Sequence, residues 1–426
     1  MARWMYSPDA DIEAAMRALE KKYPPLYSSG IERTVAMLEK LGNPHLKLPP
    51  VFHVAGTNGK GSTLAFLQAI FEAGNLSVHK YTSPHLVRFE ERILLNGRMI
   101  EHDVFLNLID ECAAAVEGMQ VSFFEFFTAL PFLAFSRRPA DVLLLETGLG
   151  GTFDATNVLP KTTGLITRIS FDHMAVLGNT LPEIAANKAG IMRRGCPCII
   201  APQPDAGVMK VFEDHARELG TPLFRAGREW RVRPEENGFY YEGPVFRGRL
   251  PGPALAGAHQ IDNAATAIAA LEQSAFSFLL TPEILSAAMK NVVWPGRMQR
   301  LTAGPAMDLL PPGWEIWIDG AHNDSGAEIL ARQAQGWTGK PLHLFISMKE
   351  DKDPEAFCRP LAPYLASATV LRDDVGAPMM KAEALCDHLK KAGIENTDIA
   401  ETLESAVAAL VFQYKMPRRI LVAGSL

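Results

Sequence analysis

The feature that most constrains how this chain folds is a glycine-rich segment at residues 56–62, Gly-Thr-Asn-Gly-Lys-Gly-Ser. It follows a short apolar run, Val51–Ala55, whose length and β-branched character are typical of a buried parallel strand. Good helix formers occupy residues 61–73, and Gly74 ends them. A strand, a glycine-rich turn and a helix in this order predict a phosphate-binding loop, because backbone N–H groups and the positive end of the helix face an anion.

This segment departs from the usual phosphate-loop pattern, Gly-x-x-x-x-Gly-Lys-Ser/Thr. Val54 occupies the position of the first glycine, and Gly61 is inserted between Lys60 and Ser62. The physical requirement is still met, since Lys60 can neutralise the terminal oxygens of a bound phosphate. The alternative is a tight strand-to-helix turn with a solvated lysine, and the three glycines of the segment make it the weaker interpretation.

Strand and helix patterns alternate along the rest of the chain, which predicts an α/β fold. Apolar runs indicate strands at residues 141–146, 164–169, 198–201, 314–319, 342–347, 368–372 and 419–423, and a small β-rich segment at 222–250. Pro295 and Gly296 mark a domain boundary. We expect a P-loop domain with a mostly parallel sheet over residues 1–295 and a smaller Rossmann-like domain over residues 296–426.

Composition argues against several classes of function. The chain has 426 residues and a net charge of −6, which disfavours a nucleic-acid or membrane-surface partner because such proteins carry basic patches. No apolar run is long enough to span a bilayer, and the first residues do not form a secretory signal. Five scattered cysteines predict reduced, mostly buried thiols. We therefore expect a cytoplasmic enzyme.

Four residues form a candidate metal site. Glu146 ends an apolar strand and precedes a glycine-rich turn, where ligands bind in parallel α/β sheets. His173 follows the next strand, Ser83 begins a Ser-Pro turn, and Lys188 lies in a predicted helix at residues 184–192. Taken singly, His173 is more often a structural histidine, Ser83 commonly only begins a turn, and Lys188 is ordinarily a solvent-facing lysine. Only the combination indicates a site.

Together these motifs resemble the folylpolyglutamate synthase/dihydrofolate synthase family of the Mur ligase superfamily. The matching segments follow the family's order over most of the chain: residues 56–62, 83–86, 124–130, 146–151, 154–157, 172–173, 177–178, 188–191, 263–267, 295–297, 319–323, 351–353 and 424–425. One such segment would be weak evidence, but so many in order are strong. The chain departs from the family at Thr152, where arginine is usual, and at Ser347, where glycine is common.

The resemblance implies an ATP-dependent ligase that uses two Mg²⁺ ions. It assigns ATP contacts to Thr57, Asn58, Gly59, Lys60, Gly61, Ser62, Asn263, Arg297 and Asp319. It assigns metal ligation to Ser83, Glu146, His173 and Lys188, the last as a carbamate formed with CO₂. A carbamate is anionic, which explains how a lysine can lie beside a metal ion. The catalytic residues would be Lys60, Glu146, His173 and Lys188.

The resemblance also implies the substrates. The pterin part of the acceptor would contact Ser122, Phe123, Phe124, Glu125, Phe153, Asp154 and Ala155, and His322 would lie near the incoming glutamate. The implied reaction adds L-glutamate to dihydropteroate and to tetrahydrofolate through an acyl phosphate. The implied enzyme is a monomer whose domains close about Pro295 and Gly296 to bring Arg297 and Asp319 to ATP.

Three alternatives remain open. The enzyme could act on only one of the two acceptors. A Mur-type peptidoglycan ligase would share the loop and the metal site, but the 55 residues before Gly56 are too few for the uridine-nucleotide domain that those enzymes carry. A regulatory protein that binds ATP without catalysis is disfavoured because Glu146, His173 and Lys188 are all present.

Overall fold

The fold is taken from a computed structural model that describes residues 7–24, 30–372 and 379–424. Ser425, the end of the last matching segment, lies outside these residues. The described chain divides into two compact units. The larger unit comprises residues 7–254 and 258–293, and the smaller unit comprises residues 255–257 and 294–424. No helix among the described residues has both the length and the apolar character needed to span a membrane.

The larger unit is built on an eight-stranded sheet in the order β4-β3-β2-β5-β1-β6-β7-β8. The strands are β1 Val51–Ala55, β2 Val78–Tyr81, β3 Ile93–Leu95, β4 Arg98–Met99, β5 Val142–Glu146, β6 Thr163–Ile166, β7 Cys198–Ile200 and β8 Leu223–Arg225. Only the pairs of β3 with β2 and with β4 are antiparallel. The central strands β1, β2 and β5 are buried along their whole length, and β1 and β5 accordingly show no apolar–polar alternation: each is apolar except for His53 in β1 and Glu146 at the end of β5.

Ten α-helices belong to the described part of the larger unit. They are α1 Ala10–Lys22, α2 Glu32–Lys40, α3 Lys60–Ala73, α4 His102–Ala115, α5 Phe123–Arg137, α6 Met174–Leu177, α7 Leu181–Ala189, α8 Ala206–Leu219, α9 His259–Glu272 and α10 Pro282–Asn291. Short 3₁₀ helices cover Pro44–Leu46, Phe89–Arg92 and Ser277–Leu279. Helix α5 begins with a capping box, in which Ser122 Oγ accepts from Glu125 N and Glu125 Oε2 accepts from Ser122 N.

Two predicted element boundaries are wrong for local reasons. The strand predicted at residues 164–169 ends at Ile166, because Arg168 turns its carbonyl to the backbone N–H groups of Thr57 and Asn58. The helix predicted at residues 184–192 is α7, which starts and ends three residues earlier. Thr180 caps its start in a capping box with Glu183, and Gly190 follows its last residue.

The predicted β-rich segment is divided between two sheets. Its first strand, β8, joins the main sheet. The remainder forms an antiparallel three-stranded sheet of β9 Arg231–Glu235, β10 Gly238–Glu242 and β11 Arg247–Pro251. Glu272, the last residue of α9, ties this sheet to the helix, because its carboxylate accepts from Tyr241 Oη at 2.9 Å and Phe246 N at 2.8 Å.

The smaller unit contains a six-stranded sheet in the order β12-β13-β17-β14-β15-β16. Its strands are β12 Gln299–Arg300, β13 Glu315–Ile318, β14 Leu342–Ser347, β15 Leu365–Leu371, β16 Thr397–Ala400 and β17 Arg419–Gly424. Its helices are α11 Pro305–Asp308, α12 Asp324–Gly336, α13 Pro354–Cys358, α14 Ala382–Lys391, α15 Leu403–Gln413 and a 3₁₀ helix, Ala362–Tyr364. All pairs except β12 with β13 are parallel. The predicted α/β class, with a mostly parallel main sheet and a second sheet in the C-terminal part, is confirmed.

A buried carboxylate joins two strands of the smaller unit. Glu315 begins β13, and its side chain is 10% exposed. It accepts hydrogen bonds from Arg419 Nε at 2.8 Å, from Trp317 Nε1 at 3.2 Å and from Lys340 Nζ. Burial alone would raise the pKa of Glu315, but these donors outweigh burial and lower the pKa to about 2. The ionised carboxylate therefore stabilises the pairing of β13 with β17.

This cluster predicts an acid-sensitive contribution to stability. The folded-state pKa of Glu315, about 2, lies below its value in the unfolded chain, so the stabilisation is present above the unfolded-state pKa and is lost as the pH falls towards 2. We expect the difference in unfolding free energy between wild type and Glu315→Gln to shrink by roughly 2 kcal/mol between about pH 6 and about pH 3, as measured by urea unfolding. Glu404→Gln removes an exposed carboxylate of the same unit and is the control. A difference that does not change with pH would contradict the prediction.

Candidate active site

The glycine-rich loop is held in place from both ends. Its backbone N–H groups at Thr57 and Asn58 donate to Arg168 O at 3.0 and 3.3 Å. Lys60 is the first residue of α3, and its Nζ donates to Gly56 O at 3.1 Å and to Thr57 O at 3.2 Å. The lysine side chain therefore folds back over the loop at the helix N-terminus, and a helix N-terminus is a common binding position for phosphates in proteins.

Two glycines of the loop are required by close contacts as well as by backbone conformation. Gly56 has φ 149°, and a Cβ there would lie 1.8 Å from Thr167 Oγ1. Gly59 has φ 95°, and a Cβ there would lie 2.5 Å from Asn263 Oδ1. Asn263 Nδ2 in turn donates to Gln260 Oε1 at 2.9 Å. The predicted ATP residue Asn263 is thus placed directly against the loop by α9.

The sheet register brings Glu146 to the same edge as the loop. Strand β5 pairs with β1 so that Glu146 lies opposite Val54, two residues before Gly56. The Glu146 side chain is 5% exposed, its Oε1 lies 4.0 Å from Lys60 Nζ, and its Oε2 accepts from Ser83 N at 3.3 Å. Two of the predicted metal ligands, Ser83 and Glu146, are therefore neighbours. Their hydroxyl and carboxylate oxygens are the hard ligands that suit Mg²⁺.

Lys188 is buried, in contrast to the solvent-facing position that is usual for a helical lysine. It lies in the last turn of α7, is 4% exposed, and its Nζ donates to Gly56 O at 3.0 Å. Burial first, and then the charge of Lys60, lower the pKa of Lys188 to about 7, although Asp172 and Asp154 act in the opposite direction. Lys60 and Lys188 thus share the Gly56 carbonyl as an acceptor.

His173 lies at the end of a segment that is bonded to the phosphate loop. The Thr57 hydroxyl donates to Ser170 O at 3.0 Å and accepts from Ser170 N at 3.1 Å. His173 precedes α6 with φ 48°, a left-handed conformation that is uncommon outside glycine. Its side chain is 43% exposed, and its Nε2 lies 3.9 Å from Asp172 Oδ2. The ring is therefore accessible beside a carboxylate.

The predicted acceptor residues form a partly aromatic surface next to the turn after β5. Phe124 packs so closely on Gly148 that a Cβ on the glycine would lie 2.0 Å from the phenyl Cζ. Phe153 is 51% exposed, whereas Asp154 is buried and its carboxylate accepts from Leu149 N and from the Thr156 hydroxyl. The other predicted acceptor residues are half-buried or buried: Ser122, Phe123, Glu125 and Ala155. The Glu125 carboxylate also binds Arg33 Nη2 at 3.0 Å.

The remaining predicted residues lie in the smaller unit. Asp319, at the end of β13, accepts from Met298 N and Ala321 N, both at 2.8 Å. Burial raises the pKa of Asp319, and the charge of Arg297 opposes that shift, so these two predicted ATP residues interact with each other. His322 Nδ1 lies 2.9 Å from Gly320 O. Their assignments to ATP and glutamate remain predictions.

Comparison with known proteins identifies the family. Residues 296–426 match the family described as "Mur ligase, glutamate ligase domain". Over 348 residues the chain is 33% identical to the dihydrofolate synthase/folylpolyglutamate synthase of Bacillus subtilis (strain 168), and the match covers 76% of each protein. The chain belongs to the dihydrofolate synthase/folylpolyglutamate synthase family.

Two further proteins extend this comparison. The probable bifunctional folylpolyglutamate synthase/dihydropteroate synthase of Halobacterium salinarum is 32% identical over 97% of this chain, but the chain spans only about half the length of that relative, 50%. A crystal structure of a bifunctional folylpolyglutamate synthase/dihydrofolate synthase with Mn, AMPPNP and L-glutamate bound has a TM-score of 0.83 and 27% identity, over 100% of this chain and 97% of that one. The predicted enzyme class is confirmed: the protein is an ATP-dependent ligase of this family.

Sequence reasoning gave no role to Asp172, which the fold places in the site. Its side chain is 13% exposed, and its charge acts on buried Lys188. The available signal was its position beside His173 after a predicted strand. Asp172 is therefore a further carboxylate of the candidate site, in addition to Glu146, which the sequence predicted.

The contact at Gly59 generates a test of the loop. In Gly59→Ala the new Cβ would clash with Asn263 and strain a left-handed residue, so we expect the KM for ATP to rise about tenfold or more. The measurement is initial-rate kinetics with varied ATP.

Gly118→Ala is the matched control, because Gly118 also has a positive φ, 77°, but a Cβ there would contact nothing within 4 Å. We expect this variant to lose roughly 1 kcal/mol of stability without a change in the KM for ATP. An equal rise of KM in both variants would mean that strain alone, and not the Asn263 contact, is responsible.

Proposed function

We propose that this ligase adds L-glutamate both to dihydropteroate and to tetrahydrofolate. The observation that carries the proposal is the convergence of Lys60, Lys188 and Glu146 within hydrogen-bond or ion-pair distance of the phosphate loop in a chain of this family. The bifunctional folylpolyglutamate synthase/dihydrofolate synthase with L-glutamate and AMPPNP bound supports L-glutamate and ATP as substrates of this chain, and its two named activities support both acceptors. Restriction to one of the two acceptors is the alternative.

The chemistry requires activation of the acceptor carboxylate, which is a poor electrophile. The carboxylate oxygen attacks the γ-phosphorus of ATP, and the bond from that phosphorus to the β,γ-bridging oxygen breaks. ADP departs, and the acceptor is now an acyl phosphate. The glutamate amine then attacks the acyl carbon, loses a proton, and inorganic phosphate leaves with the C–O bond electrons. The protein contributes position and electrostatics rather than covalent chemistry.

The residues of the phosphate loop hold the ATP phosphates in this proposal. Lys60, at the N-terminus of α3, would neutralise charge on the transferring phosphoryl group. Two Mg²⁺ ions, when bound, would stabilise the phosphoryl oxygens as Lewis acids. Ser83, Glu146 and His173 would hold them, and the hydrogen bond from Ser83 N to Glu146 Oε2 makes two of these residues direct neighbours.

Lys188 would act as a carbamate. A buried amine whose pKa is about 7 has a large neutral fraction at neutral pH, and only a neutral amine can attack CO₂. Carbamylation would replace a buried positive charge close to Lys60 with a negative one, which favours a metal ion nearby. The position of Lys188 Nζ, 3.0 Å from Gly56 O, places that charge beside the phosphate loop.

We further expect the enzyme to work as a cytoplasmic monomer. All five cysteines are free and four are buried, which suits a reducing compartment. Arg297, Asp319 and His322 keep their predicted roles toward ATP and glutamate.

A substrate comparison tests the proposal directly. Purified protein with MgATP and L-glutamate should convert dihydropteroate to dihydrofolate and tetrahydrofolate to its diglutamate, with products resolved by mass. Phosphate release should require both glutamate and an acceptor. Turnover with only one of the two acceptors would mean that the enzyme is monofunctional. ATP hydrolysis that does not depend on glutamate or on an acceptor would contradict ligase function.

Lys188→Ala tests the carbamate. We expect the rate of glutamate addition to fall by about 100-fold or more, because an anionic group that would help to hold a metal ion near the phosphoryl oxygens is lost. Wild type should also lose activity when bicarbonate and CO₂ are removed and recover it on their return.

Lys161→Ala, which removes an exposed lysine, is the control and should retain full activity. Circular dichroism should show that both variants are folded. Full activity of Lys188→Ala in bicarbonate-free buffer would rule the carbamate out.

A further inference from the structure

Two segments with separate proposed roles are joined unusually tightly. The acceptor loop, defined here as residues 148–157, carries the exposed Phe153. The lysine turn, defined as residues 187–193, carries Lys188. They are about thirty residues apart in sequence, and a network of close contacts and hydrogen bonds makes them one body.

Glycines allow the two backbones to touch. A Cβ on Gly151 would lie 2.9 Å from both Asn187 O and Lys188 O. A Cβ on Gly190 would lie 2.1 Å from Thr152 Oγ1. These distances are shorter than any ordinary carbon contact. Each segment therefore needs a glycine at the point where the backbone or side chain of the other segment lies against it.

Hydrogen bonds fix that approach. Asn187 O accepts from Thr152 N at 2.9 Å and from Thr152 Oγ1 at 2.8 Å, and Asn187 Oδ1 accepts from Gly151 N at 3.0 Å. Thr152, which stands where the family usually has arginine, thus makes two bonds to the residue before Lys188. The loop is attached directly to the backbone that positions the lysine.

Asn157 and Arg193 complete the attachment from the other side. Asn157 Nδ2 donates to Thr152 O at 3.1 Å and to Gly190 O at 3.0 Å, one acceptor in each segment. Arg193 Nη2 donates to Asn157 O at 2.9 Å and to Asn157 Oδ1 at 2.6 Å. Its Nη1 donates to Gly190 O and Met192 O, and its Nε donates to Leu159 O.

The acceptors of Arg193 indicate a geometric role. A guanidinium has five N–H donors in a rigid plane, and here five hydrogen bonds go to four backbone carbonyls and one amide oxygen. A lysine could reach one or two of these acceptors but could not reproduce the planar fork. The charge of Arg193 binds no carboxylate through these bonds, so its contribution is to hold the two segments in one arrangement.

We propose that Asn157 and Arg193 are positioning residues that fix the acceptor loop to the lysine turn, so that occupancy of the metal and nucleotide site orders the acceptor loop. The inference rests on the proposed roles of Lys188 at the metal site and of residues 153–155 toward the acceptor. Because binding coupling is reciprocal, the acceptor should in turn favour the arrangement of Lys188 that binds metal.

Hydrogen exchange of the intact protein tests this without turnover. In wild type, Mn²⁺ with a non-hydrolysable ATP analogue should slow amide exchange in peptides that cover residues 184–193 and equally in those that cover 148–157. In Asn157→Ala, the ligands should still slow exchange in the peptides of residues 184–193 but no longer in those of residues 148–157. If the ligands slow exchange in wild-type peptides of residues 184–193 but not in those of residues 148–157, the proposal is overturned.

Kinetics give a second, independent measurement. Asn157→Ala and Arg193→Lys should raise the KM for the folate acceptor about tenfold or more, with little change in the KM for ATP. Ile109→Ala, which truncates a buried side chain of α4 outside the network, is the control for a general loss of stability. If Ile109→Ala raises the acceptor KM as much as the network variants do, the role of Asn157 and Arg193 is merely structural and the proposal is wrong.

The two experiments separate the inference from the function on which it rests. If wild type adds glutamate to neither acceptor but exchange protection spreads to the acceptor loop, the proposed substrates are wrong and the coupling stands. If glutamate addition is normal and protection does not spread, the proposed function stands and the coupling is wrong.

Discussion

The site depends above all on the parallel pairing of β1 with β5 on one side and β6 on the other. The register places Val54 opposite both Glu146 and Leu165, so all three strands end at one edge of the sheet. The phosphate loop, the Glu146 carboxylate and the segment that leads to His173 consequently open in the same direction. A register shift of one residue would turn Glu146 to the opposite face, because side chains alternate along a strand. The correct pairing of these three strands is therefore enough to bring the parts of the candidate site to one edge of the sheet.

Electrostatics at that edge are balanced by a small number of groups. Lys60 and Lys188 both donate to Gly56 O, which brings two amines together at the predicted phosphate loop. Glu146 lies 4.0 Å from Lys60, and Asp172 acts on Lys188 from the neighbouring strand end. Lys188 is 4% exposed and burial lowers its pKa, whereas the Lys60 side chain is 18% exposed, so the two lysines lie in different surroundings although they share an acceptor. In the proposed function, this difference would suit Lys60 as a phosphate ligand and Lys188 as a nucleophile toward CO₂.

Local patterns predicted much of this arrangement and could not predict the rest. The apolar runs of β1 and β5 and the glycines between β1 and α3 identified the loop and the carboxylate, since both features are set by residues close in sequence. Strand β2 was not predicted because it contains His79 and Lys80, whose burial depends on partners outside the strand, among them Gln68 Oε1, which accepts from Lys80 Nζ at 2.6 Å. The burial of Lys188 could not be predicted either, because the periodicity of a helix does not show which of its faces a loop from elsewhere in the chain will cover. The roles of Arg297, Asp319 and His322 still rest on the family resemblance.

The same reasoning explains how the chain can differ from its family at Thr152 and keep a defined acceptor loop. An arginine at this position would bring a long, charged side chain, whereas Thr152 uses its backbone N–H and its hydroxyl on a single carbonyl, that of Asn187. Short-range bonds of this kind hold a loop only if the backbones are already in contact, and Gly151 and Gly190 permit that contact. Arg193 supplies a guanidinium from the opposite segment and binds the carbonyls of both. The geometry of the loop is therefore set by backbone acceptors, while the Phe153 side chain stays exposed.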